Sequence, residues 1–373
     1  MAKIVKSACY ASVTDDQWTD WRWQQRSRIT RMDELEKVIR VTDEERDAFA
    51  ASDELFHMGI TPYYASLMDP DDPDCPIRLQ AVPKLGELLT LPTDLKDPLN
   101  EEGDMVAPGV THRYPDRVLL YTNHNCAMYC RFCTRKRKVS DPTSAQAKAA
   151  LEQGLAYITG NPAVKDVVIS GGDPLSLSDE RLAYILKRLN DADNVVMCRI
   201  GSRNLVTLPQ RITPELCGVI REFQSHSLAI YFNTHFNHPR EITDEAWEAC
   251  DRVAETGTPI QNQMVLLKGV NDDVETVREL NRKLLRMRVK PYYIYQCDLS
   301  EGISHFRTPV SKGIEIMEGL RGHMSGLGVP TFVVDAPGGG GKIPVAPSYV
   351  VSHDGKTWTL RNFQQRTFTY HEA

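Results

Sequence analysis

The chain has 373 residues, 41% of them hydrophobic and 25% charged, with a formal net charge of -6. That length carries one large α/β domain with appended segments, or two ordinary domains. The acidic balance gives no electrostatic case for nucleic-acid or membrane binding, and no apolar run approaches the roughly 20 residues needed to span a bilayer. The N-terminus has no apolar stretch of the signal-peptide kind, so a cytoplasmic location is expected.

Residues 1–68 read as helical. WTDWRWQQRSRI, MDELEKVIR and TDEERDAFAAS combine amphipathic spacing with acidic helix starts. The turn-rich stretch Asp69–Pro76 and the polar segment 93–109 lead to a boundary near residue 100. The expected organisation is an N-terminal helical region over 1–100, a β/α unit over 101–345 and a tail over 346–373. Within the β/α unit, short β-rich runs recur: RVLLYT, DVVIS, NVVMCRI, LAIYFNT, PIQNQMVLL, PYYIYQ and TFVVD. Helical stretches separate most of them, among them AQAKAALEQGLAYI, DERLAYILKRLN, TDEAWEACDRVAET and VETVRELNRKLLRMR. Such alternation implies parallel strands joined by right-handed crossovers, and six or seven units make a partial TIM-type barrel. Chemistry in such folds collects at the C-terminal strand ends. There the sequence places NHNC, GGDP, GSRN, NTHFNHP, CDLS and APGGGGK.

Nine cysteines are present, six scattered and three clustered. The odd count in a large chain fits a disulfide framework poorly and a metal or cluster site well. Cys126, Cys130 and Cys133 have the spacing C-x3-C-x2-C. Three thiolates on one loop suit three irons of a [4Fe–4S] cluster and leave the fourth iron open. A zinc site with a ligand elsewhere, or three unrelated buried cysteines, is the bland alternative.

Two further segments stand out. Ser170-Gly171-Gly172-Asp173 follows a strand. It is either an ordinary turn or a place where backbone and a carboxylate meet a ligand. Asp335-Ala-Pro-Gly-Gly-Gly-Gly-Lys342 is not a Walker A loop, because Ala336 and Ile343 stand where glycine and Ser/Thr are required. It is either a plain glycine turn or a flexible mount for a lysine that forms a Schiff base with pyridoxal phosphate.

The triplet with Phe132 before its last cysteine resembles the signature of the radical S-adenosylmethionine superfamily. That resemblance implies that the open iron chelates S-adenosylmethionine and that one electron from the cluster cleaves it. It also implies that Ser170, Gly171, Gly172 and Asp173, with Ser202, Arg203 and His235, lie near that cofactor. YPDRVLLYTNHNCAMYCRFCTRKR, YYIYQCDLSEGISHFRTPVSKGIEIMEGLRGH and VPTFVVDAPGGGGKIPVAPSYV narrow the resemblance to the lysine 2,3-aminomutase family. It implies pyridoxal phosphate on Lys342 with Arg113, Tyr114 and Arg117 nearby. It further implies Arg135 on the substrate carboxylate and Asp298 with Asp335 on its ε-ammonium. Two carboxylates suit a buried cation and argue against glutamate as substrate.

By the same resemblance the reaction moves the amino group of L-lysine from C2 to C3, giving β-lysine. The implied partners are a one-electron donor such as flavodoxin or ferredoxin and further copies of the chain in a homodimer or homotetramer. Well-known members of the family have a zinc-ligating cysteine where this chain has Asp273, and this chain has no cysteine after Cys297. That zinc site is therefore not expected. The competing readings are an aminomutase for arginine, an enzyme making β-lysine for elongation factor P, and a non-catalytic iron–sulfur or zinc-binding protein.

Overall fold

The computed structural model describes residues 4–52, 56–139 and 148–373. Ten strands form one sheet in sequential order: β1 Met105–Ala107, β2 Val110–Tyr114, β3 Arg117–Tyr121, β4 Asp166–Ser170, β5 Met197–Gly201, β6 Ala229–Thr234, β7 Ile260–Leu266, β8 Val289–Gln296, β9 Thr331–Ala336 and β10 Gly341–Pro344. The seven from β3 to β9 pair parallel, and β1, β2 and β10 add antiparallel at the two edges. These seven are the seven runs read from the sequence. Helices lie in each of the six crossovers between them, which makes a partial β/α barrel.

The crossover helices start where a side chain satisfies their first free N–H groups. Ser178 accepts from Arg181 N, Thr213 from Leu216 N, Thr243 from Ala246 N and Asp273 from Thr276 N. Asp273, singled out in the sequence, thus spends its carboxylate on a helix N-terminus. In helix Asp179–Asn190 the buried residues are Leu182, Ile185, Leu186 and Leu189, the i, i+3, i+4, i+7 stripe of a helix lying on a sheet. The helix expected over 145–158 is Lys148–Gly160, and the first residues of that expectation lie outside the described residues.

The strands alternate in a way that decides the function. Val167, Ile169, Cys198, Ile200, Ile230 and Phe232 are buried in the main apolar cluster together with helix residues such as Leu155, Leu182 and Leu216. The intervening Val168, Ser170, Arg199, Gly201, Asn233 and Gln263 line a central cavity instead. An ordinary β/α barrel fills that interior with bulky apolar side chains. Here half the inward positions are polar, and a hydrated cavity is what such side chains require.

Two expectations need revision. The N-terminal region is helical, but mostly in short turns such as Asp15–Thr19, Trp21–Arg26 and Met32–Leu35, with Asp43–Ser52 reaching ten residues. Its Trp18, Ile29, Tyr63, Tyr64 and Ile77 join the same apolar cluster as the barrel. Residues 346–373, read as a tail, contain a separate antiparallel sheet of β11 Val350–Asp354, β12 Thr357–Arg361 and β13 Thr367–His371. Its two outer strands are exposed throughout, so no buried apolar face marked them in the sequence.

Candidate active site

The three clustered cysteines lie on the loop that follows β3. Residues of the N-terminal region clamp that loop. Arg28 Nη1 donates to Cys126 O at 2.6 Å, Tyr129 N to Gly59 O at 2.9 Å and Arg131 N to Gln80 O at 2.9 Å. The Arg131–Glu87 ion pair, 2.6 Å and fully buried, ties the same loop to residues 85–88. Cutting this pair on one side would leave a buried charge alone, so the loop geometry is strongly determined.

All three sulfurs face one cavity of about 290 Å³. Among the described residues no three Cys, His, Asp or Glu side chains converge as ligands of a single metal ion do. Three cysteines lining one cavity suit a multi-iron cluster with one iron left open. Burial raises the Cys126 thiol well above its ordinary value, with the Asp173 charge adding to it. Burial likewise raises Cys133, to about 11, with Cys130 contributing. Bound iron would displace those protons. Arg203 donates from Nη1 to Cys130 Sγ at 2.8 Å, and from Nη2 to Glu241 Oε1 at 2.8 Å and Gln80 Oε1 at 2.6 Å. This cation beside a sulfur fits a thiolate-held, anionic cluster.

The Gly-Gly-Asp segment packs against the cysteine loop, and its Gly172 and Asp173 also line the cavity with the three cysteines. Gly171 has φ +136, and a Cβ there would lie 2.5 Å from Asn123 O; at Gly172 it would lie 2.4 Å from Asn125 O. Gly172 N donates to Asn123 O at 2.6 Å and Asp173 N to Asn125 O at 2.7 Å. The close backbone approach is therefore to the chain that leads into Cys126. The Asp173 carboxylate accepts from Ser202 Oγ (2.7 and 2.9 Å), Arg203 N (2.9 Å) and Leu175 N (2.9 Å). It joins the loops after β4 and β5, a structural task the sequence did not reveal. Ser202, Arg203 and His235 line the cavity beside the thiols. Burial and then the Arg203 charge push His235 down to about 3, so its ring is neutral.

A second lobe of about 250 Å³ continues the first down the barrel interior. Arg135, Ser170, Asn233, Tyr295 and Lys342 border both. The second lobe is cationic and aromatic, with Arg113, Tyr114, Arg117, Arg199, Tyr292 and Tyr293 in its walls. The Arg117 guanidinium lies 3.9 Å over the Tyr114 ring, and Arg117 has no ion-pair partner among the described residues. Arg113 pairs with Asp104 at 2.8 Å and also donates to Leu99 O. Lys342 lies at the junction. Its N donates to Tyr114 Oη at 2.9 Å, and its Nζ is 3.2 Å from Asp335 Oδ2. The lobe fits a phosphorylated aromatic aldehyde: cations for phosphate, aromatic walls for a ring and an amine at its mouth. The buried Asn233 Oδ1, unpaired among the described residues, adds a polar contact at the junction.

Lys342 is not on a mobile glycine loop. Asp335 and Lys342 are directly opposite in the β9–β10 hairpin, so their side chains share a face. The glycines form its turn, with Gly338, Gly339 and Gly341 at φ +74, +89 and +79. Asp298, two residues beyond β8, joins Asp335 in the first lobe. Burial first, and the Asp335 charge second, push the Asp298 carboxyl up to about 7.

Sequence reasoning missed Glu101, Arg199, Asn233, Gln263 and the tyrosines of β8. A strongly polar residue inside an otherwise β-rich run, Arg199 in MCRIG, Asn233 in AIYFNT and Gln263 in IQNQMVL, was the available signal for the three on β5, β6 and β7. Glu101 had none.

The model of the family described as Lysine-2,3-aminomutase matches residues 317–373, and that of the Radical SAM superfamily matches residues 120–280. L-lysine 2,3-aminomutase of Clostridium subterminale is 52% identical over 97% of this chain and 86% of its own length. L-lysine 2,3-aminomutase of Bacillus subtilis is 48% identical over 97% of this chain and 76% of its own. Glutamate 2,3-aminomutase of Clostridioides difficile is 44% identical over 94% of this chain and 82% of its own. With half its residues shared along nearly its whole length, the chain belongs to the lysine 2,3-aminomutase family, within the radical SAM superfamily.

Proposed function

We propose that the protein interconverts L-lysine and β-lysine by moving the amino group between C2 and C3. The observation that carries this is that Asp298, Asp335 and Arg135 line one cavity. An anion site and a cation site facing one space suit an α-amino acid with a cationic side chain. For glutamate the same pair of aspartates would place like charges together, an unfavourable arrangement at short range.

Cys126, Cys130 and Cys133 would hold a [4Fe–4S] cluster with S-adenosylmethionine on its open iron, and Lys342, Arg113, Tyr114 and Arg117 would hold pyridoxal phosphate. When bound, these groups supply one-electron cleavage chemistry and a conjugated carrier for the migrating nitrogen. The protein supplies orientation and charge. Arg135 anchors the substrate carboxylate, and the two aspartates take the ε-ammonium, which fixes the carbon chain across the junction of the lobes. Asp335, 3.2 Å from the Lys342 amine, would pair with that amine when it is free. Ser202, Arg203 and His235 line the S-adenosylmethionine side, and the neutral His235 ring adds no charge there. The electron comes from a donor of the flavodoxin or ferredoxin class.

The test is an anaerobic product assay on the protein reconstituted with iron, sulfide and pyridoxal phosphate. S-adenosylmethionine, a reductant and lysine, arginine or glutamate are supplied separately. β-Lysine from lysine, without stoichiometric loss of S-adenosylmethionine, is the expected result. A β-amino acid from arginine or glutamate but not from lysine would overturn the substrate assignment.

A further inference from the structure

Arg135 stands at the junction of the two lobes, and its guanidinium has two edges that bind a carboxylate with paired hydrogen bonds. One edge, Nε with Nη2, is already occupied. Nε donates to Glu101 Oε1 at 2.8 Å and Oε2 at 3.1 Å, and Nη2 donates to Glu101 Oε1 at 2.6 Å. Nη1 donates to Ser170 Oγ at 3.2 Å, and Ser170 borders both lobes. Glu101 is 5% exposed. It comes from the polar connection before the barrel, which is pinned along its length. Leu95 N donates to Leu299 O at 2.8 Å, Asp97 pairs with Arg137 at 2.9 Å, and Thr111 Oγ1 donates to Glu101 O at 3.3 Å. Burial would raise the Glu101 carboxyl, but the Arg135 charge, the Arg135 hydrogen bonds and the charges of Lys138 and Arg137 together hold the group below its ordinary value. Glu101 is therefore ionised on a fixed backbone, and Arg137 and Lys138 offset its charge toward a second carboxylate.

We infer that Glu101 is a positioning residue: by holding the Nε–Nη2 edge of Arg135 it presents the Nη1–Nη2 edge to the substrate and so sets the preference for a free α-carboxylate. The inference rests on Arg135 being the carboxylate anchor. A guanidinium on a flexible stem otherwise loses rotamer freedom each time it binds. Glu101 removes that loss in advance. The competing idea, that Glu101 merely sits where the substrate carboxylate goes, predicts the opposite effect of removing it.

The experiment compares the dissociation constants of L-lysine and L-lysinamide, in which a neutral amide replaces the carboxylate. They are measured by calorimetry on anaerobically reconstituted holoenzyme without reductant, so that no turnover occurs. Glu101→Ala is expected to cut the preference for lysine over lysinamide about tenfold, the effect of one misaligned charge-assisted hydrogen bond, with lysinamide affinity unchanged. Glu101→Gln keeps one acceptor on that edge and falls between. Equal losses for both ligands would mean a structural role only and overturn the inference. So would tighter lysine binding, which marks a displaced carboxylate. If Glu101→Ala does not fold, an unchanged preference in Glu101→Gln overturns it. Arg135→Gln separates the two levels. If it abolishes the preference while Glu101→Ala does not, only the positioning role fails. If it leaves the preference intact, the anchor assignment fails and the inference falls with it.

Discussion

Lysine binding is expected to depend on pH through Asp298. Its carboxyl is faced by Asp335, Lys342, Arg307 and Arg135, and burial with the Asp335 charge places its titration at about 7. The lysine ε-ammonium keeps its proton up to roughly pH 10, so only the receiving carboxylate changes between pH 6 and 8. For a group titrating at 7, about one-tenth is ionised at pH 6 and about nine-tenths at pH 8. Apparent affinity scales with the competent fraction, so the dissociation constant should fall about tenfold over that range. Calorimetry on holoenzyme without reductant reads it directly, and the heat at pH 6 should vary with buffer ionisation because binding releases a proton. Asp298→Asn should bind lysine more weakly and without this pH dependence. A flat profile in the natural protein, or the same slope in Asp298→Asn, would refute the reasoning. The stability contribution runs in the opposite direction with pH. Because the folded carboxyl titrates above its ordinary 3.8, the stability it contributes is full below that value and lost as pH rises through about 7.

Three further outcomes are expected. Lys342→Ala should lose the visible absorbance of bound pyridoxal phosphate on gel filtration while retaining its iron, because the thiols are untouched. Gly172→Ala places a Cβ 2.4 Å from a backbone oxygen, and relieving that contact should cost about 1–3 kcal/mol and lower iron content; Gly160→Ala, with nothing within 4 Å, should change neither. Arg203→Gln strands the fully buried Glu241; denaturant unfolding should show a loss of about 3–5 kcal/mol.

Much of the barrel was legible because each crossover carries its own local signals. Ser178, Thr213 and Thr243 cap their helices in space, a position that serine and threonine favour, and DVVIS or NVVMCRI could bury themselves only as strands. The Cys126–Cys133 spacing and the Asp335–Lys342 segment likewise announce chemistry by composition alone. The exposed strands of 346–373 were not legible, because without a buried face their alternation has no apolar phase. The structural part played by Asp173 was not legible for a different reason. A carboxylate after two glycines looks the same whether it meets a ligand or, as here, the Ser202 hydroxyl and the Arg203 amide.

The sequence by itself determined the strand–helix order, the cysteine loop and the place of Lys342 after its glycine run, since all three depend on residues close together in the chain. Only the tertiary structure decided that β9 and β10 set Asp335 against Lys342, that Arg203 reaches Cys130 across 73 positions, and that Glu101 grips Arg135 from 34 positions away. Those contacts join segments whose spacing in sequence is arbitrary. They exist because a hollow barrel gathers charged and polar side chains on its inner wall, where pairing offsets the cost of burial, and the partners come from whichever segment the fold brings past.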